Sequence, residues 1–313
     1  MKLILIVLGL VFLFIYMNYV YLYKVNYNSQ DNLILNGKKG QWDYIAIGST
    51  YGRYGIDFNA VGCKGWNFCF APQFLYYTEK ILYSYSRYFK ANCIVIITLP
   101  DLVFISEGRY DYGGSNRYHR ILDRESLGED FSCKRWLFSR LPLLENPKLI
   151  KEFFKFLVGK RSHDRYEISK NLYEPSQWDE LAKSRCLEWC NQFGLKDTYD
   201  GDFTGKIREE FQKSVAVLER MINFCLKERY RPILVVPPLS EAMNKNTSFF
   251  FFKNVLYDNI NTANTANIPV LDYRKDSRLQ DMNLYINADF LNLTGREKFT
   301  RILMSDISNI YSQ

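Results

Sequence analysis

The sequence Asp43-Tyr44-Ile45-Ala46-Ile47-Gly48-Ser49-Thr50 is a short apolar run that ends in a turn of small residues. Three further apolar runs follow along the chain: Cys93–Pro100, Ile233–Pro238 and the weaker Ile268–Tyr273. The first two are rich in β-branched residues and are closed by proline, which indicates strands that end there. Strands without polar alternation belong in a parallel sheet that is buried on both faces. These four runs therefore predict the central sheet of an α/β domain.

Helical patterns lie between the predicted strands. Apolar residues recur near helical spacing over Lys206–Arg229, a second helix is predicted at Phe74–Phe89, and a third, at Arg296–Ile310, closes the chain. Parallel strands that are joined by helices through right-handed crossovers form a doubly wound sheet with helices on both faces. We therefore predict a three-layer α/β sandwich with a mainly parallel sheet, as one domain over residues 41–313.

The N-terminus has the composition of a membrane-spanning helix. Leu3 to Tyr23 is apolar or aromatic apart from Gly9 and Asn18, which matches the roughly 20 residues needed to cross a bilayer. No small-residue cleavage site follows this run, so a transmembrane anchor at 1–24 is favoured over a cleaved signal peptide. A linker at 25–40 would join the anchor to the globular domain. Lysines flank the span on both sides, so charge does not decide its orientation.

Charge and cysteine content narrow the functional classes. The net charge of +7 comes from 41 basic and 34 acidic residues without a long run of one sign, and we predict no nucleic-acid partner. Since no phosphate-binding loop, dinucleotide fingerprint or metal-binding motif occurs, we predict no cofactor and no metal. The seven cysteines match no disulfide or zinc framework, and unpaired thiols are typical of a reducing compartment.

The segment at about 107–204 has poor periodicity and many aromatic and charged residues. Long segments of this kind inside a compact domain are often functional lids, so we interpret it as an insertion or cap. Lys148–Val158 is predicted to be a short amphipathic helix within it. Because ligands of doubly wound folds bind outside the carboxyl ends of the strands, the cap would cover that edge of the sheet.

Three blocks of the sequence resemble a known family. They are Asp43–Asp57, a strand followed by a turn; Trp66–Gln73; and Leu284–Thr300, which has the frame of an Asp-x-x-His-Leu-Asn box. In order and spacing they resemble the SGNH hydrolase superfamily over most of residues 40–310. The similarity is to its membrane-anchored branch, such as the D-alanine transfer protein and the alginate acetylation proteins, which act in the modification of envelope polysaccharides and teichoic acids. The resemblance implies an SGNH or flavodoxin-like fold and a serine esterase or acyltransferase site.

The catalytic residues that this family requires are replaced. The resemblance places the nucleophile at Ser49 or Thr50, but Pro72 stands at the glycine of the second block, no asparagine stands around Pro100 in the third, and Phe290 replaces the histidine of the fourth. Acyl transfer needs a base beside the nucleophile and donors around the oxyanion. These replacements therefore predict that little serine-hydrolase activity remains.

Three functions remain open. The favoured one is a non-catalytic or substrate-holding role in the modification or assembly of a bacterial envelope polysaccharide. In that role a glycan or carrier ligand would contact Arg53, Asn67, Gln73, Asn287 and Asp289. The alternatives are an active esterase or O-acyltransferase that uses Ser49 or Thr50, and a structural interaction domain tethered to the membrane. The active alternative needs a base within hydrogen-bond reach of either hydroxyl, and the two histidines, His119 and His163, both lie in the middle segment.

The resemblance also implies a location and partners. In the resembling proteins the globular domain lies outside the cytoplasmic membrane, beside a multi-span membrane acyltransferase, and we expect the same arrangement for this chain. The unpaired cysteines argue against an oxidising exterior.

Overall fold

The computed structural model describes residues 2–26, 29–106, 108, 115–159 and 168–311. The chain forms two compact units. The first unit contains Met1–Lys38 and Tyr110–Asp164, and the second contains Lys39–Arg109 and Arg165–Gln313. The segment interpreted as an insertion is therefore divided between the two units. Most of it belongs with the N-terminal helix, and its last part belongs with the sheet.

The second unit contains a five-stranded sheet. Its strands are β1 (Trp42–Ile47), β2 (Gly65–Asn67), β3 (Phe89–Thr98), β4 (Arg231–Val236) and β5 (Val270–Asp272). Their order is β2-β1-β3-β4-β5, and each neighbouring pair is parallel. The central strands are buried because they carry apolar residues toward both faces. The predicted mixed α/β fold with a parallel sheet is thus confirmed.

The short strand β2 has no counterpart among the predicted strands. It pairs with β1, so that Gly65 lies beside Tyr44 and Trp66 beside Ile45. A Cβ atom on Gly65 would lie 2.5 Å from the Phe58 ring, so the absence of a side chain lets β2 pass over that ring. This close approach depends on tertiary packing, and three residues are too few to produce a strand pattern in the sequence.

The helices are numbered along the chain. They are α1 (Lys2–Val20), α2 (Gln30–Asn36), α3 (Thr50–Gly55), α4 (Leu75–Tyr85), α5 (Ser115–Ile121), α6 (Arg124–Leu127), α7 (Cys133–Arg140), α8 (Pro142–Glu145), α9 (Leu149–Leu157), α10 (Trp178–Phe193), α11 (Gly205–Lys227), α12 (Glu241–Lys245), α13 (Phe249–Phe252), α14 (Asp258–Ala263) and α15 (Leu293–Tyr311). The predicted helices correspond to α4, α9, α11 and α15, with ends that differ by a few residues.

The long helix α11 illustrates how these elements form. Thr204 caps its first turn by accepting a hydrogen bond from the Ile207 N–H at 3.4 Å. Its buried residues form one stripe at helical spacing: Ile207, Phe211, Ser214, Val217, Leu218, Met221, Ile222 and Cys225. Arg220 also binds Glu79 of α4 through two hydrogen bonds of 2.7 and 2.9 Å. The apolar stripe and this bidentate ion pair together fix α11 against α4.

The last helix, α15, is docked by residues of the Leu284–Thr300 block. Asn292 caps it by accepting a hydrogen bond from the Gly295 N–H at 2.9 Å. A Cβ atom on Gly295 would lie 2.0 Å from the Leu284 carbonyl oxygen, so glycine permits the close approach. Phe299 and Leu303 are then buried in the core beside the sheet. The second half of this block therefore has a structural role.

The first unit is built around the end of α1. Together with a π-helical turn, α1 forms the helix Lys2–Val25, which is long and apolar enough to span a membrane. The side-chain oxygen of Asn18 accepts a hydrogen bond from the Leu143 N–H at 3.0 Å. The buried guanidinium of Arg120 on α5 donates to Asp31 and Asn32 of α2. These polar contacts link α1 to α8 and α2 to α5.

Candidate functional site

The turn after β1 holds the two predicted nucleophiles. Gly48 has a φ of 138°, and a Cβ atom there would lie 2.0 Å from Thr98 Oγ1, so this position requires glycine. Ser49 follows as the buried N-cap residue of α3, and the half-buried Thr50 begins the helix. Within the described parts of the chain, neither hydroxyl is hydrogen-bonded to a carboxylate or an imidazole. The turn positions both hydroxyls but supplies no base to activate them.

Asn67 and Gln73 support this turn. Asn67 Nδ2 donates to the carbonyl oxygens of Gly52 at 2.9 Å and Ile56 at 2.8 Å. Gln73 Nε2 donates to the Gly48 carbonyl at 3.1 Å and to a neighbouring threonine hydroxyl at 2.9 Å. Both amide N–H bonds of each residue are used inside the protein, so neither has one left to donate to a ligand.

Pro72 and Pro100, which the sequence resemblance predicts to be replaced positions, lie in different surroundings. Pro72 is exposed in the loop between β2 and α4, and Pro100 is buried just beyond the end of β3. Neither has a backbone N–H, so neither can stabilise an oxyanion through one.

Arg53 lies on α3, close to the turn. Its Nε atom is buried and has no hydrogen-bond partner. Nearby, burial raises the pKa of the Cys69 thiol to about 12, which the Thr98 hydroxyl and the Arg53 charge oppose only in part. This thiol is protonated at neutral pH and is a poor nucleophile, whereas Arg53 retains an unused donor.

The loop before α15 is fixed by its own polar side chains. Asn287 Oδ1 accepts hydrogen bonds from the N–H groups of Asp289 at 3.2 Å and Phe290 at 2.9 Å. The Asp289 carboxylate is buried and accepts from Arg185 Nε at 2.7 Å and from the Tyr51 hydroxyl at 3.1 Å. Burial raises the pKa of Asp289, and both partners oppose that shift. Asn287 and Asp289 therefore hold the loop and α10 together, because Arg185 belongs to that helix.

Phe290, which the sequence resemblance predicts to stand in place of a histidine, is a packing residue in this loop. Its ring lies 5.1 Å from the Tyr51 ring and 6.1 Å from the Tyr54 ring. The Arg185 guanidinium carbon lies 5.9 Å from the centroid of the Phe290 ring. The position that would hold the base is thus filled by an aromatic ring that cannot accept a proton.

Asp101 and Arg274 follow the ends of β3 and β5. Asp101 is only 4% exposed, and burial raises its pKa to about 7, although Arg274 opposes the shift. Arg274 is 1% exposed, and its guanidinium carbon lies 3.5 Å from the centroid of the Phe252 ring. Its Nε and Nη2 atoms have no hydrogen-bond partner. A buried guanidinium with unused donors is energetically costly, so Arg274 is an unusual residue in this fold.

The histidines do not belong to the unit that contains the sheet. His119 and His163 both lie in the first unit by sequence. His119 is buried, and its Nε2 atom accepts a hydrogen bond from the Ser132 N–H at 2.9 Å. His163 lies outside the described residues. His119 is therefore a structurally bonded histidine of α5.

The cysteines are free thiols, and Cys69, Cys93, Cys186 and Cys225 are buried. Cys186 and Cys190 both lie on α10, where the Cys186 thiol donates to the Asn246 carbonyl at 3.4 Å. Across the described residues, no three His, Cys, Asp or Glu side chains are grouped so that they could hold a metal ion.

No protein-family model matches the chain, and no curated protein matches it either. The resemblance to the SGNH hydrolases therefore remains a prediction from the sequence motifs. Four residues of the site described above were not among the predicted site residues: Tyr51, Asp101, Arg185 and Arg274. Arg274 directly follows the predicted strand Ile268–Tyr273, and that position was a usable signal. Arg185 lies in the segment without periodicity, where the sequence offers no comparable signal.

Proposed function

We propose that this chain is a membrane-anchored, SGNH-hydrolase-like protein that holds a polar group of an envelope polysaccharide, or of its carrier, without cleaving it. The strand order β2-β1-β3-β4-β5 supports the fold assignment, because it is the order of flavodoxin-like doubly wound sheets. With helices on both faces, such a sheet forms a three-layer sandwich. The motif order of the SGNH family fits that topology.

The observation that carries the proposal is the combination of Ser49 with Phe290. The Ser49 hydroxyl has no activating partner in the described chain, and the family's base position is an aromatic ring packed on Tyr51. The nearby Asp289 carboxylate is already bound by Arg185 and Tyr51. Loss of single triad members lowers serine-hydrolase rates by thousands-fold or more, so binding is the function that this geometry supports best.

Unused polar groups at the strand ends define the ligand chemistry. Arg274 and Arg53 have donors without partners, and the Ser49 hydroxyl makes no hydrogen bond in the described structure. Two guanidinium groups and a hydroxyl suit a ligand with hydroxyl groups and at least one negative charge. Glycans that carry acidic groups and phosphate-linked carriers both have this character.

The location is part of the proposal. The helix Lys2–Val25 would anchor the chain in the cytoplasmic membrane, with the second unit outside and a multi-span acyltransferase as partner. Accessibility of the free thiols in intact cells tests the orientation. Cys63 and Cys190 of the second unit are partly exposed, so an impermeant thiol reagent should label them without lysis. Labelling that appears only after lysis would place the unit in the cytoplasm.

A second candidate function is an active esterase or O-acyltransferase. The observation that favours it is Asp101, a buried carboxyl beyond β3 whose pKa is raised to about 7 by burial, as suits a general base. Fluorophosphonate labelling of the wild type, Ser49→Ala, Thr50→Ala and Asp101→Asn separates the two candidates. We expect no labelling of any of them. If the probe labels the wild type and either Ser49→Ala or Thr50→Ala abolishes that labelling, the protein is an enzyme and the proposed binding function is wrong.

A further inference from the structure

The first unit exposes a group of large apolar side chains on α7, α8 and α9. Their exposed fractions are Trp136 45%, Leu137 39%, Leu144 48%, Phe154 56%, Leu157 59% and Val158 70%. Single exposed apolar residues are ordinary on protein surfaces, but several on neighbouring helices indicate a covered surface. We call these residues the apolar foot.

Helix α9 shows that the apolar foot is a second apolar face. Phe153 is buried, so one side of α9 already packs within the unit. Phe154, Leu157 and Val158 follow at positions i, i+3 and i+4 and are all exposed, so they form an apolar strip that borders the buried side of the helix. An amphipathic helix in water would carry polar residues on that outer face. The outer face of α9 instead mixes exposed apolar side chains with Lys151 and Lys155, which are also exposed.

The apolar foot lies beside the end of the membrane helix. The Leu143 N–H of α8 donates to Asn18 of α1 at 3.0 Å. Helix α9 contacts the turn Tyr21–Val25 that follows α1. Since all these elements belong to one compact unit, the position of α1 in the bilayer also fixes the depth of α8 and α9.

The length of the uncovered helix places this level at the membrane surface. From Leu3 to Met17 no side chain is buried by the protein, whereas Asn18 is buried. At 1.5 Å per residue this uncovered part is about 22 Å long, shorter than the hydrocarbon core of about 30 Å. If the helix starts at one edge of the hydrocarbon core, the structure around Asn18 lies about 8 Å inside the other edge, which is within the depth of about 5–10 Å at which interfacial helices are buried.

The charge of the same segment fits that boundary. Residues 133–158 carry six basic and two acidic side chains, which gives a net charge of +4. Lys151 and Lys155 are exposed on α9 next to the apolar residues. Basic groups beside exposed aromatic and aliphatic residues are typical of helices that lie in the interface of an anionic membrane.

We propose that the apolar foot lies in the headgroup region of the bilayer that α1 crosses, with the basic residues of α9 on anionic lipid phosphates. The unit is then held by an embedded surface as well as by a single helix, and it cannot rotate freely about its anchor. This inference rests on the membrane anchor of the proposed function and is independent of the ligand at the strand ends.

Fluorescence quenching of the full-length chain in lipid nanodiscs tests this inference. The discs contain phosphatidylglycerol and lipids brominated near the headgroup end of the acyl chain. Comparing the wild type with Trp136→Phe isolates the signal of Trp136, and Trp189→Phe, at a buried tryptophan, controls for the loss of one indole. We expect Trp136→Phe to remove most of the lipid-dependent quenching and Trp189→Phe to leave it unchanged.

A second variant tests whether α9 holds the surface in place. Phe154→Ser combined with Leu157→Ser should lower Trp136 quenching by the brominated lipid several-fold and open Trp136 to aqueous iodide. Leu187→Ser, at a leucine of α10 that is 61% exposed, is the matched control and should change neither.

Three results would overturn the inference. If iodide quenches wild-type Trp136 and brominated lipid does not, Trp136 lies in water. Trp136 shielded from both quenchers would be covered by a second copy or a partner protein. If brominated lipid quenches Trp136 equally in the wild type and in the double serine variant, α9 does not hold this surface against the membrane. If the chain fails to enter nanodiscs at all, the membrane anchor of the proposed function fails as well, which separates the two conclusions.

Discussion

In the turn after β1, Gly48–Thr50, the Ser49 hydroxyl makes no hydrogen bond to another described residue, whereas in the loop before α15, Asn287–Phe290, each side chain has a structural partner. In an SGNH hydrolase these two segments supply the two halves of one reaction. Here the turn presents the Ser49 hydroxyl, whereas the loop packs Phe290 against Tyr51. The two segments therefore differ in what their side chains do: the loop docks α10 and α15, whereas the turn leaves the Ser49 hydroxyl unused.

The largest expected effect is the loss of packing in the loop. Phe290→Ala removes a ring that is 9% exposed and lies against Tyr51 and Tyr54, so the free energy of unfolding should fall by about 3 kcal/mol. Urea denaturation followed by circular dichroism measures it. Phe290→Leu, which keeps most of the volume, should cost less than half as much. A Phe290→Ala protein as stable as the wild type would show that the loop is not a packing element.

The next effect comes from the carboxylate of the loop. Asp289→Ala leaves Arg185 and the Tyr51 hydroxyl without their shared acceptor, and we expect a loss of about 2 kcal/mol. The value is below that of a fully buried pair because the Arg185 side chain is 29% exposed. Arg185→Ala together with Asp289→Ala should cost less than the two single changes added. Strict additivity of the two changes would contradict the network.

These two regions also show how much the sequence could predict. The strands β1, β3 and β4 each contain a buried apolar run, so hydrophobicity locates them, whereas the short and partly exposed β5 gives a weaker signal. The strand β2 depends on Gly65 passing over the Phe58 ring, which is a tertiary contact without a local pattern. At the site, the position of Ser49 could be predicted because it follows a strand. The phenylalanine at position 290 could be recognised from the sequence of the Leu284–Thr300 block.

The partners of Asp289 could not be predicted in the same way. Arg185 is 104 residues away along the chain, in a helix whose apolar pattern is weak. Asn67 and Gln73 have the residue types of ligand-binding amides, but the structure uses their N–H groups on the turn. Side-chain direction, which decides this, is not encoded in residue type or spacing.

The pH dependence of stability sharpens the comparison, because Asp101 is the candidate base for the turn in the active alternative. Burial raises its pKa from 3.8 to about 7, so the folded protein holds a proton that the unfolded chain releases. The contribution of Asp101 to the free energy of unfolding is therefore highest below about pH 4. It falls as the pH rises toward 7, by up to about 1.4 kcal/mol per pH unit. Asp101→Asn should flatten this dependence between pH 4 and 7. Denaturation curves across that range that are the same for both proteins would rule out the buried carboxyl.

The smallest effect is expected at the turn itself. Ser49→Ala should change the free energy of unfolding by less than about 0.5 kcal/mol, because the hydroxyl makes no hydrogen bond to another described residue. Ser240 is the matched control: it is fully buried, caps α12 by accepting from the Met243 N–H at 3.2 Å, and donates to the Ala288 carbonyl. Ser240→Ala should cost about 1.5 kcal/mol. A Ser49→Ala cost as large as that of Ser240→Ala would mean that the turn hydroxyl is structural.

The proposed function requires that the second unit bind an envelope glycan without cleaving its esters. Saturation-transfer difference NMR on an O-acylated acidic polysaccharide measures both properties in one sample, because glycan signals report binding and acyl signals report cleavage or transfer. We predict saturation transfer to the glycan with constant acyl signals, and about tenfold weaker binding in Arg274→Met, which keeps the length of the side chain over Phe252 but removes its charge. A loss of acyl signal that requires Ser49, or the absence of saturation transfer, would contradict the account.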